Sequence, residues 1–204
     1  MVSGLPAVFL DRDGVLNELV PDSTSGAWES PLKVADVRLI AGAADAARAL
    51  AAAGFALVCV SNQPAAAKGA VTVEQLQAVH ARVTKLLAQA DVHLEASRLC
   101  LHHPHGIVPE LSGPCACRKP APGMLLDAAR ALKLDLGASW MVGDTDADIV
   151  AGQAAGCRTM LVEHPASARK RSGEPHPELA TLNLAHGVAQ LLCREVESDE
   201  GPSC

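Results

Sequence analysis

Ala7-Val8-Phe9-Leu10 is a run of four apolar residues that stops abruptly at Asp11-Arg12-Asp13-Gly14. A short apolar run bounded by a turn signal reads as a buried strand, here one that delivers acidic residues to a loop. The same layout recurs further along. Gly42 to Ala53 is alanine-rich and helix-periodic, Gly54 closes it, and Phe55 to Val60 is a second apolar run ending in Ser61-Asn62-Gln63. A strand-helix-strand unit of this kind implies parallel strands joined by a right-handed crossover.

Beyond it, Thr72 with Gln75 has the form of a capping box, and Leu76, Val79, Val83, Leu86 and Leu87 continue a helix to about Ala90. Arg98 to Leu101 reads as a short strand, His102 to Lys119 as a loop, and Met124 to Leu134 as a helix. Ser139 to Val142 is a strand ending in Gly143-Asp144, followed by a helix from Ala147 to Ala155 and a strand from Thr159 to Val162. His164 to Pro177 is polar and proline-bearing, a surface loop, and the acidic stretch from Glu195 lacks periodicity and is expected to fray. The alternation predicts an α/β doubly wound parallel sheet, one domain over residues 1–194 with a tail at 195–204.

Nearly half of the 204 residues are hydrophobic, enough for a core, but much of that is alanine, so the core is expected to be thin and helix-packed. A net charge of -6, with Lys and Arg scattered rather than striped, argues against a nucleic-acid partner. No uncharged apolar run reaches membrane-spanning length, and Met1 to Pro6 lacks the features of a secretory leader, so a cytoplasmic, membrane-free protein is expected, with a monomer favoured.

In an open parallel sheet, ligands bind outside the carboxyl ends of the strands. The residues predicted to stand there are Asp11 and Asp13, Ser61 and Asn62, Arg118 and Lys119, and Asp144. Each cluster alone is an ordinary turn, solvated charge pair or helix cap. Their common address is not ordinary. Three carboxylates on one crest need neutralising, and hard oxygen donors suit Mg²⁺. A hydroxyl, an amide and a lysine beside such an ion are groups that hold phosphoryl oxygens.

Cys100-x-His102 and Cys115-x-Cys117, twelve residues apart, offer three thiols and an imidazole, the complement for a closed tetrahedral Zn²⁺ site, with His103 and His105 nearby. Such a zinc would pin the loop over 100–117 that runs into Arg118 and Lys119. Cys59, inside an apolar run, and Cys157, at a helix end, read as small buried hydrophobes.

Phe9-Leu-Asp11-Arg-Asp13-Gly-Val, Ser61-Asn62-Gln63, Lys119 and Gly143-Asp144-Thr-Asp-Ala-Asp148 resemble the four ordered motifs of the haloacid dehalogenase superfamily. The resemblance implies Asp11 as nucleophile, Asp13 as general acid and then base, and Mg²⁺ held by Asp11, the backbone carbonyl of Asp13, and Asp144. It also implies Ser61 and Lys119 on the phosphoryl oxygens. The Cys-x-His-His-Pro and Cys-x-Cys-Arg-Lys-Pro-x-Pro-Gly-Met-Leu stretches look like the D-glycero-D-manno-heptose 1,7-bisphosphate phosphatase family within that superfamily. That likeness implies removal of the C7 phosphate of a small sugar bisphosphate, with Asn62 and Arg118 as substrate contacts and Gln63 and Thr145 beside them.

Three features depart from the family's pattern: Ser61 in place of threonine, the run from Pro64 to Gly69, and Thr145 where lysine is common. The intervals between motifs leave no room for a folded cap. The expected architecture is therefore a Rossmann-like doubly wound sheet of the capless haloacid dehalogenase type with a zinc-binding loop. Histidinol phosphate or another small sugar phosphate is the alternative substrate, and a non-catalytic zinc-stabilised binding module is the alternative class.

Overall fold

The structure is a computed structural model that describes residues 4–22 and 26–199, with side chains through Glu195. Its centre is a six-stranded parallel sheet of β1 (Leu5–Leu10), β4 (Ala56–Asn62), β5 (Ala96–Cys100), β6 (Leu134–Gly143), β7 (Arg158–Val162) and β8 (Leu179–Thr181). The strand order is β5-β4-β1-β6-β7-β8. A two-residue hairpin, β2 (Val20–Pro21) with β3 (Trp28–Glu29), lies between β1 and α1 (Ala43–Ala52). The chain builds the sheet outward from β1 through β4 and β5, then crosses back over β1 to β6. β1 is therefore the topological switch point, and a crevice opens at its carboxyl end.

Side-chain alternation along the strands divides the core in two. Val8, Leu10, Leu57, Cys59, Trp140 and Val142 pack under α1, α2 (Val73–Ala88) and α5 (Leu184–Asp199). Phe9, Val58, Val60 and Met141 pack on the other face against α3 (Gly123–Leu132) and α4 (Asp146–Ala155). Cys59 and Cys157 are buried, as their sequence context implies. The capping box at Thr72 is present, with the Gln75 amide donating to Thr72 Oγ1 at 3.2 Å and the Thr72 amide donating to Gln75 Oε1 at 2.8 Å.

Several boundaries differ from the sequence reading. α3 stops at Leu132 because Lys133 adopts a left-handed conformation with φ 56°. β6 begins at Leu134 rather than Ser139, since Leu5 and Pro6 pair with Leu134 and Asp135 before a register shift. The tail expected to fray from Glu195 begins inside α5, which runs to Asp199. Glu195 explains the persistence: its carboxylate accepts from Trp140 Nε1 at 3.1 Å and pairs with Arg158, whose guanidinium lies 4.1 Å over the indole ring. Residues 200–204 of that tail lie outside the described residues. No helix among the described residues is long and apolar enough to cross a membrane. No folded cap interrupts the chain between β1 and β5 among those residues; the hairpin and short loops border the crevice.

Candidate active site and metal clusters

The carboxyl ends of β1, β4 and β6 bring the sequence clusters together. The Asp11 amide donates to the Val142 carbonyl at 2.9 Å, which seats the Asp11 loop directly beside the Gly143-Asp144 turn. Gly14 makes this approach feasible: its φ is +89°, and a Cβ there would stand 2.2 Å from Asp144 Oδ2. Asp11, Asp144 and Asp148 each offer a carboxylate oxygen, all within 4.8 Å of one another. Lys119 enters the group from the end of the loop that follows β5. Its ammonium lies 2.9 Å from Asp11 Oδ1 and 2.5 Å from Asp148 Oδ1, and donates to the Val60 carbonyl at 2.7 Å.

Three carboxylates against one ammonium leave two negative charges in a buried place, which a hard divalent cation with oxygen ligands balances. The strain is visible in the proton affinities. Burial pushes Asp144 up to about 8, with repulsion from Asp11 and Asp148 adding to it. Burial pushes Asp11 up to about 6 against the pull of Lys119, while Asp148 and Asp13 reinforce the rise. Burial alone would lower Lys119, but Asp11 and Asp148 hold it above its usual range. The donor set thus fits a divalent cation.

A pH consequence follows for the cation-free protein. Asp144 has its folded proton affinity raised from 3.8 to about 8, so its contribution to stability is present at low pH and lost as pH rises through about 8. His80, lowered from 6.5 to about 4 chiefly by burial, works the other way but only below about pH 6.5. Stability of the cation-free protein should therefore fall by roughly 1–2 kcal/mol between pH 6.5 and 8. Saturating Mg²⁺ should abolish that slope. Thermal melts of protein dialysed free of Mg²⁺ without a chelator, and of the same protein in Mg²⁺, test it across this range, and a rising or flat Mg²⁺-free curve contradicts it.

Asp13 is set differently. Its carboxylate accepts from Arg12 Nε at 3.1 and 3.2 Å, Arg12 Nη2 at 2.9 Å, Asn17 Nδ2 at 2.8 Å and Gln63 Nε2 at 2.6 Å. Burial would raise it, but the Arg12 guanidinium and these hydrogen bonds overcome burial and hold it below the usual carboxylate range. In this arrangement Asp13 is an ionised base. Gln63, only 1% exposed, also donates to Ser61 Oγ at 3.0 Å, so it braces Asp13 and Ser61 instead of facing a ligand.

Asn62 and Lys119 form a reciprocal clasp, Asn62 Nδ2 to the Lys119 carbonyl at 2.9 Å and the Lys119 amide to Asn62 Oδ1 at 3.0 Å. Thr145 caps α4 by donating from its amide and hydroxyl to Asp148 Oδ2 at 3.0 and 2.6 Å. Arg118 donates to the His102 carbonyl at 3.2 Å. Asp11, Asp13, Ser61, Asn62, Arg118, Lys119, Asp144 and Thr145 all line one cleft of ≈ 350 Å³. The roles of Asp148, Arg12 and Asn17 escaped the sequence reading. For Asp148 a signal existed, the Asp144-x-Asp146-x-Asp148 spacing at a helix start.

Cys100, His102, Cys115 and Cys117 converge as a second cluster. Sulfur-to-sulfur separations are 3.1, 3.4 and 3.7 Å, and His102 Nδ1 stands 3.4 Å from Cys117 Sγ and 3.9 Å from Cys100 Sγ. Ligands about 2.0–2.3 Å from a tetrahedral zinc stand roughly 3.3–3.8 Å apart, so the geometry fits that ion. Burial and the two neighbouring thiols push the Cys117 thiol well up. His103 lies outside the cluster and accepts from the His105 amide at 3.1 Å.

A parallel sheet that meets an acidic crest and a buried lysine at its switch point defines a phosphatase of the haloacid dehalogenase-like class. Residues 116–186 match the family model described as HAD-hydrolase-like. The chain is 37% identical over 185 residues to the D-glycero-beta-D-manno-heptose-1,7-bisphosphate 7-phosphatase of Yersinia pestis, covering 91% of this chain and 94% of that one. It is 40% identical over 162 residues to the same enzyme of Escherichia coli K12, covering 79% and 81%. It therefore belongs to the D-glycero-beta-D-manno-heptose-1,7-bisphosphate 7-phosphatase family. The crystal structure of the D,D-heptose 1,7-bisphosphate phosphatase of B. bronchiseptica, complexed with magnesium and phosphate, superposes with a TM-score of 0.78 at 31% identity, covering 93% and 99% of the two chains.

Proposed function

We propose that this chain hydrolyses the C7 phosphate ester of D-glycero-D-manno-heptose 1,7-bisphosphate through an aspartyl-phosphate on Asp11. The convergence of Asp11, Asp144 and Asp148 at the switch-point crevice, with Lys119 paired to Asp11 and Asp148, carries this reading. Asp11, the Asp13 carbonyl and Asp144 would hold Mg²⁺, which when bound supplies charge neutralisation for the transferring phosphoryl group. An Asp11 oxygen attacks phosphorus, the bond from phosphorus to the C7 oxygen breaks, and that oxygen takes a proton from Asp13. Asp13 then removes a proton from water as the water attacks phosphorus, and phosphate departs with Asp11 restored.

The base step is the one that the surroundings of Asp13 favour. To serve as acid, its carboxyl must turn from Arg12 and Gln63 and take up a proton first. Ser61 and Lys119 would bind phosphoryl oxygens, while Asn62, Arg118 and Thr145, around the same cleft, would contact the sugar end. Zinc in the thiol cluster would be structural, since four protein ligands leave no open position. Three thiols gathered as metal ligands rather than disulfides suit a reducing compartment, and a cytoplasmic site of action and a single catalytic domain over residues 1–194 acting as a monomer belong to the same reading.

Steady-state comparison of the β-anomer of the heptose bisphosphate with histidinol phosphate tests the substrate. We expect kcat/KM at least about 10²-fold higher on the bisphosphate, the size of discrimination that a few polar contacts deliver. Preference for histidinol phosphate would overturn the assignment.

A further inference from the structure

The reactive end of the cleft is electrostatically settled: Lys119 is engaged by Asp11 and Asp148, and Arg12 by Asp13. Three other cations line the same cleft, Lys68, Arg118 and Lys170. Lys68 forms no ion pair among the described residues, and Arg118 donates only to an uncharged carbonyl. Lys170 belongs to the 3-10 turn Pro165–Lys170 that follows β7, and its ammonium lies 3.5 Å from Glu29 Oε2. Glu29, however, is shared: Arg169 pairs with its other oxygen and donates to the Trp28 carbonyl at 3.1 Å. One carboxylate between two cations leaves a positive charge at this rim. The same contacts tie the turn to the hairpin and hold Lys170 over the cleft before any ligand arrives.

Resting on the proposed function, we propose that Lys170 determines specificity by binding the second, non-reacting phosphoryl group of the bisphosphate. The ammonium donates charge-assisted hydrogen bonds to that dianion, with Lys68 and Arg118 completing a cationic rim. A substrate without the distal phosphate leaves this rim unsatisfied.

The test measures kcat/KM for the heptose 1,7-bisphosphate and for heptose 7-phosphate, which has the same scissile ester and no distal group. For Lys170→Met, the ratio of the two values should fall roughly 10- to 100-fold, mainly through KM on the bisphosphate, as loss of a hydrogen bond to a charged group predicts. Lys170→Arg should restore most of the ratio. Equal losses on both substrates would mean that Lys170 merely supports the hairpin, and an unchanged ratio would mean that it does not touch the ligand; either overturns this proposal alone. A wild-type enzyme that does not prefer the bisphosphate overturns it together with the function from which it follows.

Discussion

Replacing Asp11 by Asn should lower kcat by at least about 10⁴-fold while leaving the fold intact. The amide is nearly isosteric but cannot donate an electron pair to phosphorus as a carboxylate does, so the covalent intermediate cannot form. The loss, about 5.5 kcal/mol of transition-state stabilisation, falls on kcat because the covalent step itself is removed. Stability should move the other way in the cation-free protein. Burial and the carboxylates of Asp148 and Asp13 already push Asp11 up to about 6, so an uncharged amide relieves a repulsion at neutral pH. Phosphate release and thermal melting, measured in parallel with and without Mg²⁺, separate the two effects. Turnover of the variant within a hundredfold of wild type would rule out the aspartyl-phosphate route, and an inactive wild type would leave only a zinc-stabilised binding module.

Much of this site was legible in the sequence because strands announce themselves where an apolar run breaks into polar residues. Phe9-Leu10 into Asp11 and Val60 into Ser61-Asn62 are such breaks, and a parallel sheet places all of them on one edge. What stayed hidden is tertiary. Arg12 beside Asp13 reads as a solvated turn, and only the packing of its fully buried guanidinium reveals it as the group that fixes the charge of Asp13. Asp148 reads as a first-turn helix acid, a common and bland role; that it also grips Lys119 depends on a crossover of the chain from β5 to β6. β2, β3 and β8 were missed because strands of two or three residues carry no measurable periodicity. α5 was missed with them, its start lying just beyond a polar loop.

On the proposed zinc assignment, removing the metal should disable the enzyme from a distance of two residues. Cys117 precedes Lys119 in the chain by that interval, and the Asn62 clasp fixes only the backbone of Lys119 itself. Without the metal, the three thiols are left in contact with nothing bridging them, and the loop over 100–117 loses the crosslink that offsets its ordering entropy. Cys117→Ser, or a zinc-selective chelator that leaves Mg²⁺ in place, should lower the melting temperature by roughly 6–12 °C, the shift that about 3 kcal/mol produces in a chain of this size. It should also lower kcat by about 10²-fold, since displacing the Lys119 ammonium by an ångström spoils its hold on both Asp11 and the phosphoryl group. Cys193→Ser, at an exposed thiol outside the cluster, is the control and should change neither. Elemental analysis should find one zinc per wild-type chain and none in Cys117→Ser. If the wild-type protein holds no zinc, or if Cys117→Ser melts and turns over like wild type, the cluster is four packed side chains and Lys119 is held by its own ion pairs alone.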